Sequence, residues 1–211
     1  MRRQGSARWV ALLGVLLFWS GVFGAGALVD GYSAREDYIS SLASRGSPLA
    51  LLGIGALLAS AVAHMATARA ALSAWRARWC AAFILAAGVV TVVIALFRAS
   101  CPGGPAGCGV TGTVATDWVD LVHGLSVGVY ELFTLAAMLA LAVGGLRRTA
   151  VWPRWLSLVS LGFAVGSVIL IGQTEGEHLG MWQRLWLANN LAWLLVVAWV
   201  STPRMPAAEH E

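Results

Sequence analysis

Six apolar stretches, each long enough to cross a bilayer, leave this chain one broad class of fold. A helix needs roughly 20 apolar residues to span the hydrocarbon core, and runs of that order occupy residues 9–29, 48–68, 79–97, 119–145, 155–172 and 181–201. Lipid offers backbone N–H and C=O groups no partner, so such runs are expected as helices that satisfy themselves. With 59% hydrophobic and only 11% charged residues, the composition is that of a chain solvated mainly by lipid. The longest gap, 98–118, is 21 residues, too short for a soluble domain. The expectation is an all-α polytopic protein, with residues 1–211 forming a single six-helix transmembrane domain.

The gaps carry a second message in their charge. All 14 basic residues are Arg. Arg2, Arg3, Arg8, Arg69, Arg76, Arg78, Arg147, Arg148, Arg154 and Arg204 fall at the amino terminus, in alternate gaps and in the tail, whereas Asp30, Glu36, Asp37, Asp117, Glu175 and Glu177 fall in the other gaps. The positive-inside rule places the Arg-rich segments, and with them both termini, in the cytoplasm. A cleavable signal peptide is the rival reading of the start; its apolar run is longer than the usual ~7–15 residues, so a retained first span is expected. The net charge of +4 follows from orientation and is no argument for nucleic acid.

Two outer loops look structured. In the first, Ser33 followed by Glu36 is a capping-box pattern, Tyr38, Ile39 and Leu42 share a face, and Gly46 and Pro48 supply a stop. A short helix in the interface, or folded over the bundle mouth, is expected. In the second, Cys101 and Cys108 bracket a Pro- and Gly-rich turn that can bring them to disulfide distance, and an oxidising face favours the bond. The spacing matches no common zinc pattern, and no metal site is expected.

These loops also carry a resemblance. Asp30-Gly31-Tyr32-Ser33, Arg35 and Ile39-Ser40-Ser41-Leu42, with His123 early in the fourth span and Gln183-Arg184 opening the sixth, resemble the bacterial six-span family known as domain of unknown function 998. Members are expected to read His-Pro-Gly-Tyr-Ser where this chain has Asp30 and Gly31 before Tyr32. The resemblance implies a six-span fold in the bacterial cytoplasmic membrane, and it supplies no catalytic residues.

Ionisable groups inside a span are costly and need a reason. Asp120, His123 and Glu131 lie within an arc of about 80° on one helical face, over a rise of roughly 16 Å. Arg35, Arg98 and Arg184 can approach from neighbouring span ends, and burial obliges each carboxylate and each Arg to find a partner. Candidate catalytic residues are therefore Glu131, Asp120 and His123. Candidate binding residues are Asp30, Tyr32, Arg35, Arg98, Asp117, Glu175, His178, Arg184 and Asn190. Each has a structural alternative: Glu131 in an ion pair with Arg184 or Arg98 that fixes helix order, Asn189 and Asn190 as interhelical glue, His123 as a satisfied core imidazole. His64 is read as snorkelling at the cytoplasmic end of span two. Gly14, Gly21, Gly24 and Gly26, with Ser157, Ser160, Gly162 and Gly166, read as close-packing positions, and Trp152, Trp155, Trp182 and Trp186 as interfacial anchors.

Four functions fit. One is an intramembrane enzyme acting on a lipid or isoprenoid by carboxylate acid–base chemistry. A proton-coupled transporter would use the same carboxylates as a relay, without an evident inverted repeat. A haem carrier would need two facing His, and only His123 and His178 share a side. The fourth is a non-catalytic protein that binds membrane lipid, a hydrophobic small molecule or a partner. No cofactor is expected, and oligomeric state is not read.

Overall fold

The structure is a computed structural model that describes residues 2–101, 117–145, 151–175 and 177–201. Among them the chain is wholly helical, with no strand: α1 (Arg2–Leu28), a 3-10 helix (Ile39–Ala43), α2 (Ala50–Trp75), α3 (Arg78–Leu96), α4 (Trp118–Gly144), α5 (Arg154–Ile171) and α6 (Leu179–Val200). Five of the six long helices, α1 from Ser6 and α2 to α5, are long and apolar enough to cross a membrane. α6 is as long, but Gln183, Arg184, Asn189 and Asn190 dilute its apolar character.

Each long helix packs on its neighbour in sequence, and α6 closes back onto α1 and α2. The surfaces are inverted relative to a water-soluble bundle. Leu13, Leu51, Leu158 and Ile169 stand exposed, while His64, Thr91, Glu131, Ser160, Ser167 and Asn190 are buried. An exposed apolar coat around a partly polar interior suits lipid, where helix association rests on close packing and interhelical hydrogen bonds.

Close packing is paid for by small residues at particular places. A Cβ on Gly14 would stand 2.6 Å from the Ala59 carbonyl, and one on Gly21 2.8 Å from Ala56 Cβ, so α1 and α2 touch along this edge. Gly24 and Gly162, read from sequence in the same way, have nothing within 4 Å. Ser157 and Ser160 work through hydrogen bonds, accepting from Trp152 Nε1 at 3.2 Å and Trp193 Nε1 at 3.0 Å.

The second helix runs further than the apolar stretch that suggested it. Its Ala-rich continuation carries it through Arg69 to Trp75, where Arg76 adopts a left-handed conformation (φ 51°). His64 therefore lies well inside the helix rather than snorkelling at its end. It is buried, its Nδ1 donates to the Ser60 carbonyl at 2.8 Å, and the Tyr130 hydroxyl lies 3.4 Å from its Nε2.

The segment between α1 and α2 forms a lid. Ser33 Oγ accepts from the Glu36 N–H at 3.3 Å, and the reciprocal bond comes from Asp37, whose carboxylate accepts the Ser33 N–H at 2.7 Å. Ile39, Ser41, Leu42 and Ala43 are buried, so the 3-10 helix sits in the bundle mouth. Gly53 makes this possible: a Cβ there would meet Ala43 N at 2.7 Å and the Leu42 carbonyl at 2.8 Å. Gly53→Ala is expected to lower stability by about 1–3 kcal/mol. Gly55→Ala, in open space, is expected to be neutral or to stabilise by up to about 1 kcal/mol. Thermal unfolding of the two variants in detergent checks the contrast.

Candidate functional site

The four Arg on the acid-rich side converge on the lid. Arg98, at the end of α3, donates from Nε to the Ala43 carbonyl at 2.8 Å and from Nη2 to the Ser44 carbonyl at 2.6 Å. Arg184, in the first turns of α6, donates to the carbonyls of Gly180 at 2.7 Å and Asp37 at 3.1 Å, and to the Tyr32 hydroxyl, over whose ring its guanidinium also lies. A guanidinium offers five donors in a fixed fork and suits carbonyls that a 3-10 turn leaves open. Arg45, on the lid itself, pairs with Asp117 at 2.7 Å and Asp120 at 2.9 Å. Arg35 Nε lies 2.9 Å from His178 Nδ1, which is 2.8 Å from Glu36.

Further bonds tie the lid to every other loop on that side. The Ile39 N–H donates to Gln183 Oε1 at 2.6 Å, the Tyr38 hydroxyl to the Thr174 carbonyl at 3.0 Å, the Met181 N–H to the Arg35 carbonyl at 3.0 Å, and the Arg45 N–H to the Ala99 carbonyl at 2.9 Å. Gly180 packs so tightly on Asp37 that a Cβ would stand 2.8 Å from its backbone nitrogen.

The stripe read from sequence separates into three environments. Asp120 is at the mouth: besides Arg45, it accepts from the Ser100 N–H at 2.7 Å and from the Ser100 hydroxyl. Asp117 caps α4, accepting the Asp120 N–H at 3.0 Å. His123 Nδ1 donates to the Phe97 carbonyl at 2.8 Å, and its buried Nε2 has no partner among the described residues. Glu131 is deeper and 4% exposed, held by Ser167, Trp186 and Asn190. The ion pairs envisaged for it with Arg98 or Arg184 do not form, because both guanidinium groups are committed to backbone carbonyls of the lid and of Gly180. Asp30 and Glu175 are exposed. Cys101 is buried and disulfide-bonded, Cys80 is free, and Cys108 lies outside the described residues.

Beneath the lid is a chamber with room for water-sized molecules, about 50 Å³, lined by residues that include Phe18, Ile39, Ser60, Thr91, Tyr130 and Trp186. Trp186 is thus no interfacial anchor: it is buried, and its ring stands edge-on to Tyr130 at 5.9 Å. Sequence reasoning gave it that anchoring role, and passed over Ser167 and over Arg45 as the partner of Asp120. Arg45 alone carried a signal, since it is one of the four Arg on the acid-rich side. No group of three or more His, Cys, Asp and Glu suited to a metal occurs among the described residues.

A multi-pass helical membrane protein with a hydrogen-bonded lid over a small interior chamber is the class these features define. The chain belongs to the family described as protein of unknown function DUF998, whose model matches residues 12–200. No curated protein and no solved structure matches it.

The charges that hold the lid respond to pH. The His178 hydrogen bond holds the Glu36 carboxyl below its ordinary 4.5, and the Arg45 hydrogen bond holds Asp117 below its ordinary 3.8. Asp117, followed by Asp120, in turn raises Arg45. A carboxyl whose folded value is depressed stabilises the fold above its ordinary value, and that contribution is lost as pH falls through the folded value. Both carboxylates are solvent-exposed, so the effect is modest and screened by salt. Unfolding temperature should therefore drop as pH falls below about 4.5, less steeply at high salt and less steeply in Arg45→Ala; a pH series of melting curves reads this.

Proposed function

We propose that this chain is a six-span membrane protein with both termini cytoplasmic, and that it takes a hydrophobic small molecule of lipid or isoprenoid character into the chamber beneath its outer lid. The 22 residues of α6 reach roughly 33 Å at 1.5 Å per residue, enough for the hydrocarbon core. Its polar Gln183 and Asn190 face inward while Leu185 and Trp199 face out. The hydrogen bonds among the first, third and fifth loops put the acid-rich gaps at one end, and Arg76, Arg78 and Arg154 belong to the other gaps. The positive-inside rule supports the lid end as the outer one, and the family resemblance supports a bacterial cytoplasmic membrane.

The observation that carries ligand binding is the chamber itself, walled by five of the long helices and roofed by Ile39 and Ser40. Its lining is mainly apolar with a few polar groups, the usual character of a small-molecule site. At about 50 Å³ it is well below the ~150 Å³ of a cavity that holds benzene, so a ligand enters only with movement of the lid or of Trp186. Binding suits the geometry better than acid–base catalysis, because Asp120, His123 and Glu131 have separate partners and Trp186 stands between Glu131 and the chamber. A small proton-coupled carrier is the second reading, favoured by one observation: the Glu131 carboxyl sits among neutral donors.

Farnesol and geraniol, titrated into the purified protein in detergent, test the proposal by thermal shift. At a hundredfold excess over Kd, binding to the folded state adds about 2.7 kcal/mol. Leu57 of α2 also lines the chamber, and Leu57→Phe, which fills it, is expected to abolish that shift. An equal shift in wild type and variant places the alcohols on the lipid-facing surface and contradicts the proposal.

A further inference from the structure

Glu131 is enclosed by Ser167 of α5 and by Trp186 and Asn190 of α6, with Tyr130 beside it on α4, and none of these groups is charged. The hydrogens in this cluster can be counted from fixed points. The Phe163 carbonyl can only accept, so the Asn189 atom 3.0 Å from it is the amide nitrogen. That nitrogen is 3.2 Å from Asn190, which must therefore present Oδ1 to it. Asn190 Nδ2 is then turned to Glu131 and donates to Oε2 at 3.0 Å. Trp186 Nε1, a pure donor, reaches the same Oε2 at 3.0 Å.

Ser167 Oγ, which the same Trp186 N–H also approaches at 3.1 Å, is left 2.7 Å from two oxygens, Asn190 Oδ1 and Glu131 Oε1. A hydroxyl has one hydrogen and can fill only one of these contacts, and Asn190 Oδ1 has no hydrogen to give. We infer that Glu131 Oε1 carries a proton and donates it to Ser167 Oγ, whose own hydrogen goes to Asn190 Oδ1. Turning the Asn190 amide over relocates the shortfall without removing it. Its Oδ1 would then face Glu131 Oε2 at 3.0 Å, again with a hydrogen between them only if the carboxyl supplies one.

The cluster is thus a proton-binding site joining α4, α5 and α6, with a directed chain from Glu131 through Ser167 to Asn190. Loss of the proton leaves one hydroxyl hydrogen for two acceptors and a buried carboxylate with no cation beside it among the described residues, so release requires entry of water or of a positive charge. Trp186 connects this site to the chamber, since its ring lines the one and its N–H holds the other. The proton on Glu131 is independent of whether the chamber takes an isoprenoid.

Glu131→Gln separates the alternatives, because a Gln reproduces the protonated pattern: its nitrogen donates to Ser167 and its oxygen accepts from Trp186 and Asn190. Infrared spectra of the purified full-length protein near neutral pH are expected to show a protonated-carboxyl C=O band that is absent from E131Q. The same band should move to higher frequency in Ser167→Ala, which removes its hydrogen-bond acceptor. E131Q should unfold within about 4 °C of wild type, and Glu131→Ala well below it. Identical carboxyl bands in wild type and E131Q, or an E131Q that fails to accumulate or melts as low as E131A, overturn the inference.

Discussion

The lid end of this bundle depends on guanidinium groups donating to backbone carbonyls, most of them in one short segment. A 3-10 turn at a membrane-protein mouth leaves carbonyls that water cannot reliably reach and that no neighbouring strand can satisfy. Arg98 supplies two hydrogen bonds to Ala43 and Ser44, and Arg184 supplies bonds to Asp37 and Gly180. Because Arg98 follows the last turn of α3 and Arg184 lies in the second turn of α6, the lid ties together helices far apart in sequence. Leaving a buried acceptor unmade costs about 1–3 kcal/mol, so the clamp and the seated lid are one structural event.

That clamp explains why the interior separates into layers. With the guanidinium groups engaged at the mouth, no cation among the described residues descends to Glu131, and the carboxyl is met by Ser167, Trp186 and Asn190 instead. Between the two layers lies the chamber, roofed by the lid and walled on one side by Trp186. A ligand entering it must disturb either the clamp or the indole that holds Glu131. The lid, the chamber and the proton site are thus mechanically connected through Gln183, Arg184 and Trp186 on one stretch of α6.

Helix positions were legible because span length and charge distribution are strong, nearly local signals; observed and expected ends agree within a few residues, except that α1 starts earlier and α2 ends later. There the Ala-rich continuation past Ala68 is helical but not markedly apolar, and the misplaced end misplaced His64 with it. The lid was partly legible, since Ser33 does cap its turn, but the reciprocal acceptor is Asp37 rather than Glu36. Helical periodicity placed Asp120, His123 and Glu131 on one face, and it could not say what faced them. Partner choice is a tertiary property: Arg45 reaches Asp120 across 75 positions, and Trp186 reaches Glu131 across 55. Ser167 and Trp186 are residue types usually read as packing or as an interfacial anchor, and only the fold reveals their donor role.

Hydrogen exchange of the lid amides reads the strength of the guanidinium clamp itself. The Ile39 N–H, bonded to Gln183, and the Ser44 N–H, bonded to the Ser41 carbonyl, should exchange in wild type as slowly as amides within α2. In Arg98→Ala and Arg184→Ala they should exchange much faster while the α2 amides stay protected. Lid amides that exchange at unstructured-chain rates in the wild-type protein would contradict the account.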